Sequence, residues 1–274
     1  SPQRVLMDRV MSAAYLWHNY GKSTIGSRAD IERVPIERLR AFYKTWYQPD
    51  NALLVVAGKI HESETLGKIV KKFGKIPKPS RTLPNTYTIE PAQDGPRSVT
   101  LRRVGDTQMA AAGYHIPAGS DPDFAPISLL RFVLGDAPSG RLYKNLVETG
   151  KAASVFSFAR SLHDPGMFLV GATVRMESSL DDARDILVRV TEEAAVNAPT
   201  REEVDRAREN ALKNWDTVFR NSEWVAIQLS EWEAQGDWRL LFLQRDRIKA
   251  VTADDVARVA KAYLRAENRT VGVY

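Results

Sequence analysis

Phe42 to Gly58, FYKTWYQPDNALLVVAG, is the stretch whose reading decides the fold, because the end of the chain repeats it. With Ile31-Glu32-Arg33-Val34 set over Ile248-Lys249-Ala250-Val251, the two segments run together without a gap to the last residues. Leu39 then faces Val256, Phe42 faces Val259, Trp46 faces Tyr263, Asn51 faces Asn268, Leu54 faces Val271 and Val56 faces Val273. A constant offset across a helix, a turn and a strand is the mark of one module used twice. In the first copy Leu39, Phe42, Tyr43 and Trp46 fall at helical spacing and form one apolar face of a helix opening near Pro35. Gln48-Pro49-Asp50-Asn51 ends that helix, since proline cannot extend it and Asp and Asn favour turns. Ala52 to Ala57 then reads as a short buried strand closed by Gly58. In the second copy Thr252 to Asp255 is an N-cap with a reciprocal acid, Val256, Val259, Ala260 and Tyr263 form the apolar face, and Arg269 to Tyr274 is the strand.

The totals describe an ordinary globular chain. It has 274 residues, 43% of them hydrophobic, enough for one large domain or two smaller ones. The net charge of +5 is spread among Asp and Glu, without the dense basic stripe that nucleic-acid binding needs. There is no cysteine, which excludes disulfides, thiol nucleophiles and thiolate metal sites. A cysteine-free chain suits an exported, for example periplasmic, protein. No apolar run is long enough to cross a membrane.

Outward from the repeat, Val5 to Trp17 reads as a helix leading into the aromatic cluster Tyr15, Trp17 and Tyr20. A helix beginning at His61-Glu62-Ser63-Glu64 has Leu66, Ile69, Val70 and Phe73 as its apolar face and lysines toward its negative end. Residues 77–96 carry five prolines among polar residues and read as an extended connector. Beyond it, Ser98 to Val104 and Thr107 to Ile116 read as a hairpin turned at Gly105-Asp106. A helix from about Pro122 uses Phe124, Ile127, Leu130 and Val133 as its inner face, and Arg141 to Glu148 is a short helix. Ser154 to Ser161 and Gly166 to Arg175 form a second antiparallel pair, and three or four helices fill Ser179 to Tyr263. The expected class is α+β, an antiparallel sheet packed against helices, with a truncated first module in residues 1–76, a linker in 77–96 and a complete second module in 97–274.

This order resembles the pitrilysin/insulinase family of zinc metallopeptidases and its mitochondrial processing peptidase relatives. The run YGKSTIGSRADIERVPIERLRAFYKTWYQPDNALLVVAGKI, Tyr20 to Ile60, resembles the family's signature for the end of its first domain. SGRLYKNLVETGKAASVFSFAR, Ser139 to Arg160, resembles the corresponding helix and strand of a second domain. The resemblance implies a parent that binds one Zn²⁺, cleaves peptides with a glutamate-activated water, and clasps two halves round an enclosed chamber. The family's H-x-x-E-H, in which two histidines one helical turn apart share a metal, is not in this chain. The repeat puts roughly 120 residues of the first domain upstream of Ser1, and the resemblance implies that the motif lies there.

No catalytic or metal-ligating residue is therefore expected in this chain, the substrate-contacting residues stay unassigned, and the chain alone should not hydrolyse peptides. The family's substrate-holding arginine and tyrosine fall on Val147 and Ser154, which cannot perform that role. The alternative is a non-catalytic core subunit of the same fold acting in assembly. The partners expected are peptide substrate through the parent and a second half or subunit of the same fold. His61 with Glu64, His163 with Asp164, and Gly135 to Gly140 with Arg141 have nearer explanations as a helix start, a hairpin turn and a connection. Trp215, Trp224, Trp232 and Trp238 read as core or interface.

Overall fold

Nine residues of one strand, Gln108–Ile116, hold the molecule together, because they alternate between two cores. The computed structural model describes residues 1–274. In chain order the elements are α1 (Pro2–Ala14), α2 (Arg28–Arg33), α3 (Ile36–Trp46), α4 (Glu62–Phe73), β1 (Arg97–Thr100), β2 (Gln108–Ile116), α5 (Phe124–Gly135), β3 (Ser154–Ala159), β4 (Gly166–Val174), α6 (Leu180–Glu193), α7 (Arg201–Val218), α8 (Ser222–Glu233), α9 (Leu240–Ala250), α10 (Ala253–Tyr263) and β5 (Arg269–Val273). The fold is α+β, as the sequence implies, with one sheet in the order β1-β5-β2-β4-β3.

Ala110, Ala112, Tyr114 and Ile116 of β2, with Phe168, Val170, Ala172 and Val174 of β4, face the larger core. That core includes α5, α6, α7 and α10. The alternate residues Met109 and Ala111 of β2 and Met167 and Leu169 of β4 face the opposite way. There α1 covers them with Leu6, Met7, Val10, Met11 and Ala14. Burial on both faces is why these strands read as unbroken apolar runs rather than alternating ones. Gly272 of β5 permits the approach of α1: a Cβ there would collide with Val10 and Leu6.

Several expectations hold. The pair Ser154 to Ser161 and Gly166 to Arg175 is β3 with β4, antiparallel from Ser154↔Thr173 to Ala159↔Phe168. The Thr252 cap is a complete capping box, Asp255 N–H donating to Thr252 Oγ1 at 3.2 Å and Thr252 N–H to Asp255 Oδ2 at 2.9 Å. Phe124, Ile127, Leu130 and Val133 of α5 are all buried.

Four expectations need correction. Ser98 to Val104 and Thr107 to Ile116 do not form a hairpin. β5 lies between β1 and β2, antiparallel to β2 (Ala112↔Val271) and parallel to β1 (Ser98↔Val271), so the sheet is mixed. The β2 edge that a hairpin would use is thus occupied by the last strand of the chain. Ala52 to Ala57 is extended but belongs to no sheet, and Leu53, Leu54 and Val56 are exposed; a strand needs a neighbour for its N–H and C=O groups, and none lies beside it. The short helix after Arg141 passes into a π-helical turn, Tyr143–Val147. Five helices, α6 to α10, fill the interval where three or four were expected.

α1 lies in residues 1–76, yet its apolar stripe is buried on the sheet formed by strands of residues 97–273. By contrast α2, α3 and α4 bury no side chain at all.

Candidate functional site

The segment following α1 is fixed by charges brought from far along the chain. Arg97 Nη1 donates to the carbonyls of Ala13 and Ala14, and His115 Nε2 meets the Ala14 carbonyl at 3.1 Å, so cationic and N–H donors complete the negative end of α1. The Glu90 carboxylate then accepts the N–H groups of Leu16, Trp17 and His18 at 2.8, 2.9 and 2.9 Å. Burial pushes the Glu90 carboxyl up, but the bonds from His18, Leu16 and Trp17 outweigh it and hold it below the usual range. Burial holds the His115 imidazole below its usual value, so it is neutral and donates through Nε2.

His18 uses both ring nitrogens. Nδ1 accepts the Tyr20 N–H at 3.2 Å, so Nε2 carries the proton toward Asp164 Oδ2, also at 3.2 Å. The other Asp164 oxygen is 3.3 Å from His163 Nδ1, the Asp164 N–H donates to Tyr20 Oη, and Tyr15 Oη donates to the Pro165 carbonyl. His163 and Asp164 therefore do form the turn between β3 and β4, and that turn is tied to residues 15–20. Two imidazoles share one carboxylate, with no hydroxyl or thiol nucleophile presented to either. Burial raises the Tyr15 phenol well above its ordinary value, so it does not supply a phenolate. The arrangement is a polar tie between α1, the connector and the β3–β4 turn.

The other residues singled out in the sequence lie apart. His61 precedes α4 without capping it, and Glu64 pairs with Lys68 at 2.6 Å. Arg141 is bound by Glu203 at 2.7 Å and by the carbonyls of Asn197 and Ala198, leaving no anion cradle. Val147 lies in the π-helical turn and Ser154 begins β3, exposed. Trp232 is buried and Trp215 stacks on Phe219 at 3.9 Å, whereas Trp224 and Trp238 are exposed. No three His, Asp or Glu side chains come together in a way that could hold a metal ion, so the donor set does not fit zinc. Glu90 was not legible as a functional residue: it is one acid in a Pro-rich connector, and its three donors are more than 70 residues away.

The largest departure from an ordinary surface is on α3, α4 and residues 52–57. Leu39, Phe42 and Tyr43 are 49%, 56% and 61% exposed, and Leu66, Val70 and Phe73 are equally bare. Their counterparts in α10, Val256 and Val259, are fully buried. The local geometry of the two segments is nevertheless the same. Each helix leads into a 3₁₀ turn, Pro49–Asn51 or Ala266–Asn268. Asn51 Nδ2 donates to the Trp46 carbonyl at 2.9 Å, and Asn268 Nδ2 to the Tyr263 carbonyl at 2.8 Å. Asn268 also donates to the His115 carbonyl in β2, a contact for which Asn51 has no equivalent.

Fold and donor set together define an α+β domain without a metal-binding group and with an uncovered apolar helix face. Residues 33–211 match the family model described as the Peptidase M16 inactive domain, and the chain belongs to that family. It is 26% identical over 273 residues to the zinc protease PqqE of Helicobacter pylori, covering 98% of this chain and 62% of that protein. The chain thus spans about three fifths of the length of that relative. Among solved structures it superposes on a protease from Helicobacter pylori with a TM-score of 0.93 at 25% identity, covering 100% of this chain and 67% of the other. The inactive peptidase domain of a putative zinc protease from Bordetella parapertussis is 44% identical, with a TM-score of 0.60, over 64% of this chain and 96% of that one.

Proposed function

We propose that this chain is the non-catalytic part of a zinc-dependent metalloendopeptidase, providing chamber wall and domain interface for a catalytic module carried elsewhere in the same protein. The observation that carries the reading is the pair of matched segments in opposite states. Leu39 and Phe42 are bare where Val256 and Val259 are buried, and Leu54 and Val56 are bare where Val271 and Val273 lie against the core. Burying a side chain of this size stabilises by about 1.5–3 kcal/mol, so a surface of this kind is shaped for a covering layer.

The register that sets Ile31 over Ile248 also sets Met7 and Val10 of α1 over Trp224 and Ile227 of α8. Met7 and Val10 are buried on the second module's sheet, while Trp224 and Ile227 remain 53% and 38% exposed. In this reading the exchange is reciprocal, and α8 lies on the sheet of the first module as α1 lies on that of the second. The metal and its ligands belong to the parent and to none of these side chains. The absence of cysteine supports an exported location, which cell fractionation would check.

The test is a quenched-fluorescent peptide assay on this chain and on the full-length product of its gene, with zinc content measured in both. Chelator-sensitive cleavage only by the full-length protein supports the reading. Silence and no zinc in both would replace it by a scaffold role for the same fold.

A further inference from the structure

Taken over the whole chain, cationic and acidic side chains are interspersed, but residues 59–78 depart from this. They hold six of the 39 lysines and arginines and two of the 34 acids, a net +4 of the chain's +5. In the rest of the chain Lys and Arg exceed Asp and Glu by only one. The six are Lys59, Lys68, Lys71, Lys72, Lys75 and Lys78, and all are exposed. Only Lys68 has an ion-pair partner, Glu64 at 2.6 Å. The negative end of α4 accounts for Lys71 and Lys72 in its last turn. It does not account for Lys59 before the helix or Lys78 beyond it, since the dipole reaches only about one turn.

Helical periodicity separates these charges from the apolar side chains. Leu66, Ile69, Val70 and Phe73 stand on one side of α4, and at about 100° per residue Lys68, Lys71 and Lys72 fall on the opposite side. Lys75 follows in the turn that closes the helix. Lys68 to Lys75 thus spans about 10 Å of helix axis. Once the apolar side is covered, the lysine side is the one left to solvent. Residues 59–78 contain no arginine to fork onto a phosphate, and their one Phe, Tyr or Trp, Phe73, belongs to the apolar side. A lysine ammonium is a hydrated point charge on a flexible stem, suited to a diffuse layer of negative charge rather than to a fixed geometry.

We propose that the lysine side of α4 docks this protein on an anionic phospholipid surface, the ammonium groups meeting the headgroups while Leu66, Val70 and Phe73 face the protein body. An amphipathic helix lying in a membrane does the reverse, burying its apolar side in the lipid and turning such lysines to water. The two modes exclude one another, because the two sides of α4 are opposed. The orientation rests on the reading that a catalytic module covers the apolar side; the charge does not.

The experiment is co-sedimentation of the full-length protein with vesicles of phosphatidylcholine alone and of phosphatidylcholine with phosphatidylglycerol. Binding should require phosphatidylglycerol and should vanish at about 1 M salt, where screening shortens to about 3 Å. Each Lys→Gln at 68, 71, 72 or 75 should weaken partition about fivefold, and the four together more than about a hundredfold. Lys144→Gln and Lys213→Gln, which remove exposed lysines elsewhere, should change nothing. No binding to either vesicle, or binding that ignores the four substitutions, overturns the docking; if cleavage of peptide is still chelator-sensitive, the reading of the chain as part of a peptidase stands. Salt-insensitive binding to neutral vesicles means that the apolar side inserts, and overturns both. Retention by duplex DNA that the four substitutions abolish, with none by vesicles, gives the face to nucleic acid and overturns the phospholipid assignment.

Discussion

Glu90 and His115 sit on either side of the end of α1, and their displaced titrations make opposite ends of the acid range informative. The Glu90 carboxyl is held below its ordinary 4.5, so its stabilisation is fully present above that pH and is lost as pH falls through the folded value. His115 is held below its ordinary 6.5 by burial. The unfolded chain therefore takes up a proton first as pH falls below 6.5, and stability declines until the folded imidazole titrates as well. Urea unfolding followed from pH 8 to pH 3 should show loss in both windows. His115→Gln should flatten the upper one and Glu90→Gln the lower. At neutral pH Glu90→Gln should cost about 1 kcal/mol, since the carboxylate is partly exposed and solvent already screens it. The periodic helices and the Thr252 cap were legible at this scale. The partners of Glu90 were not, because nothing near it in sequence indicates which N–H groups will arrive.

Between α10 and β5 the chain makes the same turn as between α3 and residue 52, and asparagine holds both. Only Asn268 also reaches into the sheet, at the His115 carbonyl. Asn268→Ala should therefore destabilise this chain by about 1–3 kcal/mol, and Asn51→Ala by less than about 0.5 kcal/mol, in thermal or chemical unfolding. Gly272→Ala should cost about 1–3 kcal/mol by pushing α1 off β5, an overpacking effect. That Val5 to Trp17 is an apolar-rich helical segment was visible in the sequence. Which sheet would receive it was not, since a stripe records that a face is buried and not by what.

At the scale of the molecule, one portion has a core on both faces of its sheet and the other has none of its helices covered. Phe42→Ala should be nearly neutral in this chain and should cost about 3–5 kcal/mol in the full-length protein, where the reading given above buries it. Isolated, the chain should self-associate as concentration rises, and Phe42→Glu should suppress this without lowering the melting temperature; light scattering measures the first and calorimetry the second. A monodisperse monomer at high concentration would count against a covering layer over α3 and α4.

What the sequence by itself determined is part of what is stabilised within a few residues or by the composition of a strand: the helical segments α1, α3, α4, α5 and α10, the Thr252 cap, the β3–β4 pair and the α+β class. It also excluded thiolate chemistry and the H-x-x-E-H motif, since these are questions of which residues are present. Tertiary structure alone decided that β5 would enter between β1 and β2, that α1 would pack on the sheet formed by residues 97–273, and that Ala52 to Ala57 would pair with nothing. It also gathered Glu90, His18 and Asp164 into one tie and left the buried Gln244 amide without a partner. The physical reason is common to all of these. A strand edge, an apolar stripe or a lone carboxylate has a local signal for needing a partner, but which partner it obtains is set by competition among segments far apart in the chain.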